Sequence, residues 1–327
     1  MMIARRALLL VAASGIVTTP IRAATPPVVR VGLLRLGTVS WEVDVIRRHG
    51  FDTAAGVAIE PVQFATSQAT QTALQAGRVD MVVSDWLWVS RQRGEGADWT
   101  FVPFSSATGA LVAPASSPVR ELPDLKGRRL GIAGSPIDKS WLILRAYAKE
   151  RYGFDPDEAT QKSFGAPSLL LEEAKLGRLD AMLNFWPFAA KAEAIGMRTI
   201  LPVEDAVRGL GIGPGVPFIG YVFSQAWAER NRAALAGFLA AARKARDVLA
   251  TSDAEWQTLM PLTGAANQAE LDHLRAHYRA GIPKEWGPAE QQDAARLYQV
   301  LAKIGGPALV GAATTIAPGT FWPAASL

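Results

Sequence analysis

The sequence predicts an α/β protein built from two similar lobes. The first observation is an internal repeat, because residues 73–86 and 173–186 carry a glycine, an arginine, an aspartate and a tryptophan at matching positions. The second is that short apolar strands alternate with helical segments, which is typical of mostly parallel sheets covered by helices. A repeat of about 100 residues is a duplicated half-domain rather than a solenoid unit. Two such lobes facing each other would place their paired loops on opposite walls of one cleft.

The composition allows two packed domains and excludes several kinds of site. The chain has 327 residues, of which 49% are hydrophobic and 20% charged, so it has ample apolar material for packed cores. It has no cysteine, which excludes disulfides, thiolate metal sites, a cysteine nucleophile and a lipid-modified cysteine. Three of its 34 basic residues lie within residues 1–23, which leaves 31 basic against 30 acidic residues. This balance gives no indication of nucleic-acid binding.

The first 24 residues, 1–24, have the layout of a secretory signal peptide. An arginine pair is followed by an apolar stretch at 7–17 and by small residues at the expected cleavage site, Ala23 or Ala24. The apolar stretch is about ten residues long, whereas a membrane-spanning helix needs about 20. We therefore expect the mature protein outside the cytoplasm and, since it has no cysteine to carry a lipid, in a Gram-negative periplasm.

The first lobe is expected over residues 25–113. Apolar runs of strand length alternate with helical segments, and Gly77 is placed to end one of the helices. The predicted elements are a strand at 28–34, a helix at 41–48, a strand at 57–64, a helix at 66–76, a strand at 79–84, a helix at 86–92 and a strand at 100–104.

The second lobe, residues 114–216, repeats this plan. Residues 109–113 form an extended segment suited to a first crossover between the lobes, and 217–327 are expected to hold a returning crossover strand and helices that pack on the first lobe and the hinge. The predicted elements from 129 onward are strands at 129–133, 159–164, 179–184, 199–203 and 216–223, and helices at 139–151, 167–176, 187–195, 231–249, 253–259, 268–279 and 288–304. The tail after Pro307 shows no clear period.

Several segments together resemble a known family. They are the Val-Gly pair at 31–32, the repeat at 73–80, the segment Leu-Pro-Asp-Leu-Lys-Gly-Arg-Arg-Leu-Gly at 122–131, and 177–181 followed by Trp-Pro at 186–187. As a set they resemble the nitrate/sulfonate/taurine-type solute-binding proteins of ABC importers, over roughly residues 28–223. The resemblance implies the two-lobed periplasmic binding protein fold, a small-molecule ligand between the lobes, hinge closure, and an ABC permease of the inner membrane as partner. The protein is expected to act as a monomer without a cofactor.

Candidate ligand-binding residues lie in the loops where the strands end, because open α/β sheets bind ligands beyond the carboxyl ends of their strands. The set is Arg35, Thr38, Ser40, Trp41, Asp85, Trp86, Trp88, Ser106, Thr108, Ser135, Asp138, Lys139, Ser140, Trp141, Asn184, Trp186 and Phe218. Each tryptophan taken alone fits a core position equally well. Their pairing in the repeat, 41 with 141 and 86 with 186, favours stacking surfaces for a flat ring or an organic cation.

The charge of these loops bears on the solute. The helix after Ser135 offers an N-terminus that can hold an anion, but Pro136 removes a donor there and Asp85 and Asp138 add negative charge. We therefore expect a small organic solute, aromatic or heterocyclic, and do not assign nitrate, taurine or a sulfonate.

Other polar residues have simpler interpretations. Asp80 and Asp180 precede strands, away from the cleft, and are expected to bond the turns there. His273 and His277 have the spacing of a metal-binding pair but lack the His-Glu-x-x-His motif, so a solvated helix face is expected.

Three functions fit the sequence: a binding protein, a small-molecule enzyme on the same fold, and a ligand sensor for a membrane receptor. An enzyme needs a positioned acid, base or nucleophile. Without cysteine, and with histidines away from the cleft loops, only Asp85 or Asp138 could serve, and export argues against a cytosolic pathway. We therefore expect a binding protein and not an enzyme.

Overall fold

The protein contains two α/β lobes, each built on a five-stranded sheet. The computed structural model describes residues 25–35, 37–213 and 215–323, so the expected signal peptide at 1–24 lies outside the described residues. Each sheet is flanked by helices, and the C-terminal part of the chain is helical, which confirms the predicted fold class.

The first lobe alternates strands and helices in the predicted order. Its elements are β1 (Val28–Leu34), α1 (Val39–His49), α2 (Phe51–Ala54), β2 (Ala58–Phe64), α3 (Ser67–Gln75), β3 (Met81–Asp85), α4 (Trp86–Gly94), β4 (Trp99–Ser105) and a later strand, β10 (Ile219–Ser224). The sheet order is β2-β1-β3-β10-β4, with β1 parallel to both β2 and β3, and β10 antiparallel to its neighbours. The strands are largely apolar because helices cover both faces of the sheet.

The second lobe has the same topology. Its elements are β5 (Ala110–Ala113), a 3-10 helix (Leu122–Leu125), β6 (Arg129–Ala133), α5 (Lys139–Tyr152), α6 (Pro156–Ala159), β7 (Gln161–Gly165), α7 (Pro167–Lys175), β8 (Ala181–Asn184), α8 (Trp186–Ala194), β9 (Arg198–Pro202) and α9 (Val203–Gly209). The sheet order is β7-β6-β8-β5-β9, and β5 is its antiparallel strand. The antiparallel strands β5 and β10 therefore occupy equivalent places in the two sheets.

The duplication extends to single hydrogen bonds. The carboxylate of Asp80 accepts from the backbone and guanidinium nitrogens of Arg30, at 2.7–3.0 Å. Asp180 accepts from the same groups of Arg129, at 2.7–3.1 Å. Both aspartates lie just before a strand and form structural hydrogen bonds, but their carboxylates bond arginines of the neighbouring strands β1 and β6 rather than the turns. The glycine of each repeat, Gly77 in the first, has a positive φ that ends the preceding helix.

The lobes are connected by two exchanged strands. The chain leaves the first sheet after β4 and enters the second at β5, whose hydrogen bonds go to β8 and β9. The chain therefore first crosses between the lobes at residues 106–109, and this segment is called the first passage. The expected end of the first lobe, residue 113, lies four residues beyond the end of this segment. The chain returns between α9 and β10.

The C-terminal helices pack on both lobes. They are α10 (Gln225–Arg230), α11 (Arg232–Thr251), α12 (Asp253–Thr263), α13 (Gln268–Ala280) and α14 (Pro288–Val310), which is broken at Gly306. Helices α11 and α12 pack on α1 of the first lobe. Helix α13 packs on α8, and α14 packs on both α4 and α5. The expected packing on the first lobe and the hinge did not include these contacts with the second lobe. No helix in the described part of the chain is long and apolar enough to cross a membrane.

Candidate functional site: the cleft between the lobes

An ion pair joins the two lobes where their strands end. Asp85, the last residue of β3, lies with its Oδ2 3.0 Å from Nζ of Lys139, the first residue of α5. Burial lowers the pKa of Lys139, but Asp85 and Asp138 outweigh burial and leave the pKa of Lys139 above its usual value. The ammonium group is therefore charged, and two carboxylates surround it.

The same carboxylates cap the two helices that begin at the cleft. Asp85 Oδ1 accepts from the backbone N–H of Trp88 at 2.8 Å. Asp138 Oδ1 accepts from the backbone N–H groups of Ser140 and Trp141, at 2.9 and 3.3 Å. Burial raises the pKa of Asp138. Since an internal carboxylate already takes N–H groups at each helix N-terminus, these termini are poor sites for an anionic solute.

Trp41 and Trp186 meet across the lobes. Trp41 lies on α1 and Trp186 begins α8, and their rings touch edge to face with centroids 5.8 Å apart. Trp256 and Tyr278 from the C-terminal helices pack against Trp41 as well. The two tryptophans thus belong to one apolar cluster that joins both lobes to helices α12 and α13.

Trp86 and Trp141 lie in a second cluster. Trp86 packs against Tyr298 and Phe321 and donates from its indole N–H to the carbonyl of Pro217 at 2.8 Å, whereas Trp141 packs against Phe164. The four tryptophans of the repeat are only 0–6% exposed. They therefore form two interior clusters, and their role as stacking surfaces for a solute stays a prediction.

Three of the other candidates bond through their side chains within the protein. The Ser40 hydroxyl donates to the carbonyl of Leu34, the Ser106 hydroxyl to the carbonyl of Gly215, and the buried Asn184 amide to the carbonyl of Pro167. The remaining candidates differ in exposure: Arg35 and Ser135 are exposed, and Thr38, Trp88, Thr108, Ser140 and Phe218 are half-buried. Their contact with a solute also stays a prediction.

A buried polar group beside Trp41 was not among the candidates. Glu42 is fully buried, accepts from the Tyr221 hydroxyl, and lies with its Oε2 4.0 Å from Nε of Arg246. Burial raises its pKa to about 7, although Arg246 and Tyr221 act in the opposite direction. The only sequence signal for this group is one acid within the apolar face of α1, which does not reveal the partners.

The structure corrects the interpretation of the two C-terminal histidines. His273 and His277 keep part of their side chains in solvent, but both also contact Glu193 on α8 instead of facing solvent alone. Glu193 and His277 also line a cavity of about 620 Å³ beside the first passage between the lobes, together with Ser106 and Thr108. No sequence pattern connects Glu193 with the two histidines, because it lies in the other lobe.

Two α/β lobes that exchange one strand each and meet in a charged cleft have the architecture of the two-lobed periplasmic binding proteins of ABC importers. The chain belongs to the NMT1/THI5-like family, whose profile matches residues 45–255. The comparison with curated protein sequences finds no significant match.

Three solved structures illustrate the likeness. The aliphatic sulphonate binding protein SsuA of Escherichia coli is 20% identical, with a TM-score of 0.73 over 92% of this chain and 94% of that one. The alkanesulfonate-binding protein SsuA of Xanthomonas axonopodis pv. citri, bound to MOPS, is 17% identical, with a TM-score of 0.68 over 92% and 99%. The nitrate-binding protein NrtA of Synechocystis PCC 6803 is 13% identical, with a TM-score of 0.53 over 71% and 65%. At these identities the likeness concerns the fold.

Proposed function

We propose that this protein is the extracytoplasmic solute-binding component of an ABC importer and that it works in the periplasm. It captures a small organic solute between its lobes and presents the closed form to a permease of the inner membrane. The observation that carries the proposal is the Asp85–Lys139 ion pair, which crosses between two lobes that are linked by two exchanged strands. The family and the fold support it.

Closure about the two passages explains how such a protein responds to a solute. A solute that contacts both lobes binds the closed state more tightly than the open state. The difference between these two binding free energies is the amount by which the solute shifts the equilibrium toward closure. Asp85 and Lys139 supply one charged group from each lobe, so a solute bound near them gains contacts only when the lobes approach.

The charges favour a neutral or cationic solute over a simple anion. The three solved structures described above are of sulfonate- or nitrate-binding proteins, but in this chain Asp85 and Asp138 occupy the helix N-termini at the cleft. Trp41 and Trp186, which meet across the lobes, would supply apolar surface once the lobes part. We therefore propose a solute with a flat aromatic or heterocyclic part.

A thermal-shift panel on the purified protein tests the proposal. The panel contains aromatic heterocycles, quaternary amines, alkanesulfonates and nitrate. A solute present at 100 times its dissociation constant adds about 2.7 kcal/mol to the free energy of unfolding. We expect a heterocycle or organic cation to give the shift. A shift with nitrate or a sulfonate alone would contradict the proposed solute class, and conversion of the solute during the assay, seen by mass spectrometry, would contradict a function limited to binding.

Replacement of Asp85 by Asn separates its two roles. Asparagine caps helices as well as aspartate does, so α4 is expected to keep its N-terminal cap, and the loss of the ion pair with the partly buried Lys139 is expected to lower the stability of the unliganded protein. The charge opposite Lys139 is lost, and the affinity for the identified solute is expected to fall at least tenfold, measured by calorimetric titration. Lys139→Gln is expected to give a similar loss, whereas Asp247→Asn, on an exposed face of α11, is the matched control. Unchanged affinity in both cleft variants would exclude this ion pair from the binding site.

A further inference from the structure

Three potential metal ligands from distant parts of the chain converge between α8 and α13. His273 and His277 are one helical turn apart on α13 and face the same side. Glu193 reaches them from α8, with its Oε2 3.3 Å from His273 Nδ1 and 2.7 Å from His277 Nε2. One ligand atom of each residue lies within 4.8 Å of the other two.

We propose that Glu193, His273 and His277 form a binding site for a divalent transition-metal ion of the zinc class. The donor set consists of two imidazole nitrogens and one carboxylate oxygen. Zinc binds such ligands with bonds of about 2.0–2.2 Å, which places the ligand atoms of a tetrahedral site about 3.4 Å apart. The Glu193–His273 separation of 3.3 Å is close to this value, the Glu193–His277 separation of 2.7 Å is shorter, and the two histidine nitrogens lie within 4.8 Å of each other, so an ion is expected to bind with small side-chain adjustments. Imidazole ligands select zinc-class ions over Mg²⁺ or Ca²⁺, which prefer oxygen.

Neighbouring groups hold two of the ligands in place. The Thr199 hydroxyl donates to Oε1 of Glu193, which leaves Oε2 directed at the histidines. The ring of Trp186 is nearly parallel to that of His277, with an angle of 8° and centroids 6.5 Å apart. Partners of this kind orient metal ligands and commonly change metal affinity by about 10–100-fold when removed.

The site is accessible and has room for a fourth ligand. The side chains of Glu193, His273 and His277 are 20%, 42% and 30% exposed. Glu193 and His277 line the cavity of about 620 Å³ next to the first passage, which provides an entry path and space for a water molecule or a solute group. Three protein ligands and one open position distinguish this site from structural zinc sites, in which the protein supplies all four ligands.

The position of the site connects the metal to the contact between the lobes. Glu193 belongs to the second lobe, whereas α13 packs through Leu271, Leu274 and Tyr278 into the cluster that contains the first-lobe residue Trp41. A bound ion would add bonds between α8 of the second lobe and α13. This inference does not rest on the proposed solute, because metal binding can be measured without it.

The test is a calorimetric titration of the purified protein with Zn²⁺, after treatment with chelator and with no polyhistidine tag present. We expect saturable binding of one ion per chain with a dissociation constant in the micromolar range or below, and an increase in melting temperature that chelator reverses. Co²⁺ bound at the same site is expected to show the visible absorption of a low-symmetry, tetrahedral-type complex. Absence of saturable one-to-one binding would overturn the proposal.

Variants of the three ligands assign the site. His273→Ala, His277→Gln and Glu193→Gln are each expected to weaken Zn²⁺ binding at least tenfold and to change the Co²⁺ spectrum. Glutamine at 277 and 193 preserves side-chain size, and circular dichroism verifies that each variant folds. The matched control is His49→Ala, because His49 also contacts a carboxylate, that of Glu255, but shares it with Arg48 and has no second histidine. Undiminished binding in the three ligand variants, or equal loss in the control, would overturn the assignment.

Discussion

Glu42 lies on the buried face of α1 with its carboxyl group removed from water. The Tyr221 hydroxyl donates to Oε1, and Arg246 approaches Oε2 to 4.0 Å. Burial penalises the charged form of a carboxyl group, and two polar neighbours only partly offset it, so the pKa of Glu42 is about 7. The residue therefore makes the stability of the first lobe depend on pH near neutrality.

The sign of this dependence follows from the two pKa values of Glu42. In the unfolded chain it ionises near 4.5, and in the folded protein near 7. Between these values the folded state holds more protons, so stability decreases as pH rises from 4.5 to 7. We predict that the free energy of unfolding of the wild type, relative to Glu42→Gln, falls by about 3 kcal/mol across this range.

Urea denaturation at half-unit pH steps measures this difference. Glu60→Gln is the control, because Glu60 is exposed on β2 and its replacement is expected to leave the pH profile parallel to that of the wild type. Parallel profiles for Glu42→Gln and the wild type would show that Glu42 does not titrate in this range.

At the scale of elements, the C-terminal tail adds to the first sheet. The carbonyl of Thr320 accepts from Phe101, and Trp322 donates to the carbonyl of Phe101, so the tail runs beside β4. Trp322 is buried and packs against Phe223 with ring centroids 5.9 Å apart. The tail thus covers an edge that would otherwise expose unpaired backbone groups.

We predict that Trp322→Ala lowers the free energy of unfolding by about 3 kcal/mol, because it leaves a cavity against the sheet. Chemical denaturation measures the change. The control is Leu176→Ala, since Leu176 is 61% exposed at the end of α7 and is expected to change stability by less than about 0.5 kcal/mol. An equally small effect of Trp322→Ala would mean that the tail does not stabilise the first lobe.

Helices and strands with a clear pattern of apolar residues could be predicted from the sequence. Elements that are short or lack such a pattern could not. The strands at 28–34 and 129–133 have the predicted bounds, because each is a short, mostly apolar run with a single arginine that ends at a turn or loop. Helices α2, α6, α9 and α10 have four to seven residues and complete too few turns to show an amphipathic pattern, so none was assigned. The tail was also missed, because its position depends on tertiary packing against distant rings such as Phe101 and Phe223, which the sequence does not show.

At the scale of the whole molecule, the repeat predicted two matched lobes but not the contacts between them. The loops that carry Asp85 and Lys139 could be placed at the cleft from sequence, because they follow strands or begin helices in both copies. The convergence of Glu193 with His273 and His277 could not, since it depends on how α13 packs on α8 after the chain has returned to the first lobe. The repeat contains no equivalent of the C-terminal helices, so it gives no information on their packing.

The end of α13 lies in close contact with the first passage between the lobes. Gly281, which follows α13, accepts at its carbonyl from the backbone N–H of Ser106 at 2.8 Å. A Cβ atom at Gly281 would lie 2.4 Å from the Cβ of Ala107 and 2.9 Å from its backbone, closer than atoms can approach. The passage therefore lies directly against the end of α13, and any side chain at position 281 must push the two apart.

We predict that Gly281→Ala lowers the free energy of unfolding by about 1–3 kcal/mol, the usual cost of an overpacked contact. Gly94→Ala is the matched control: Gly94 ends α4, and nothing lies within 4 Å of the position of its added Cβ. That change is expected to be neutral or to stabilise by about 0.4–1 kcal/mol, because alanine reduces the entropy of the unfolded chain. Urea denaturation compares the two, and equal effects would show that the passage moves freely away from α13 at no cost, so that the C-terminal helices do not restrain the connection between the lobes.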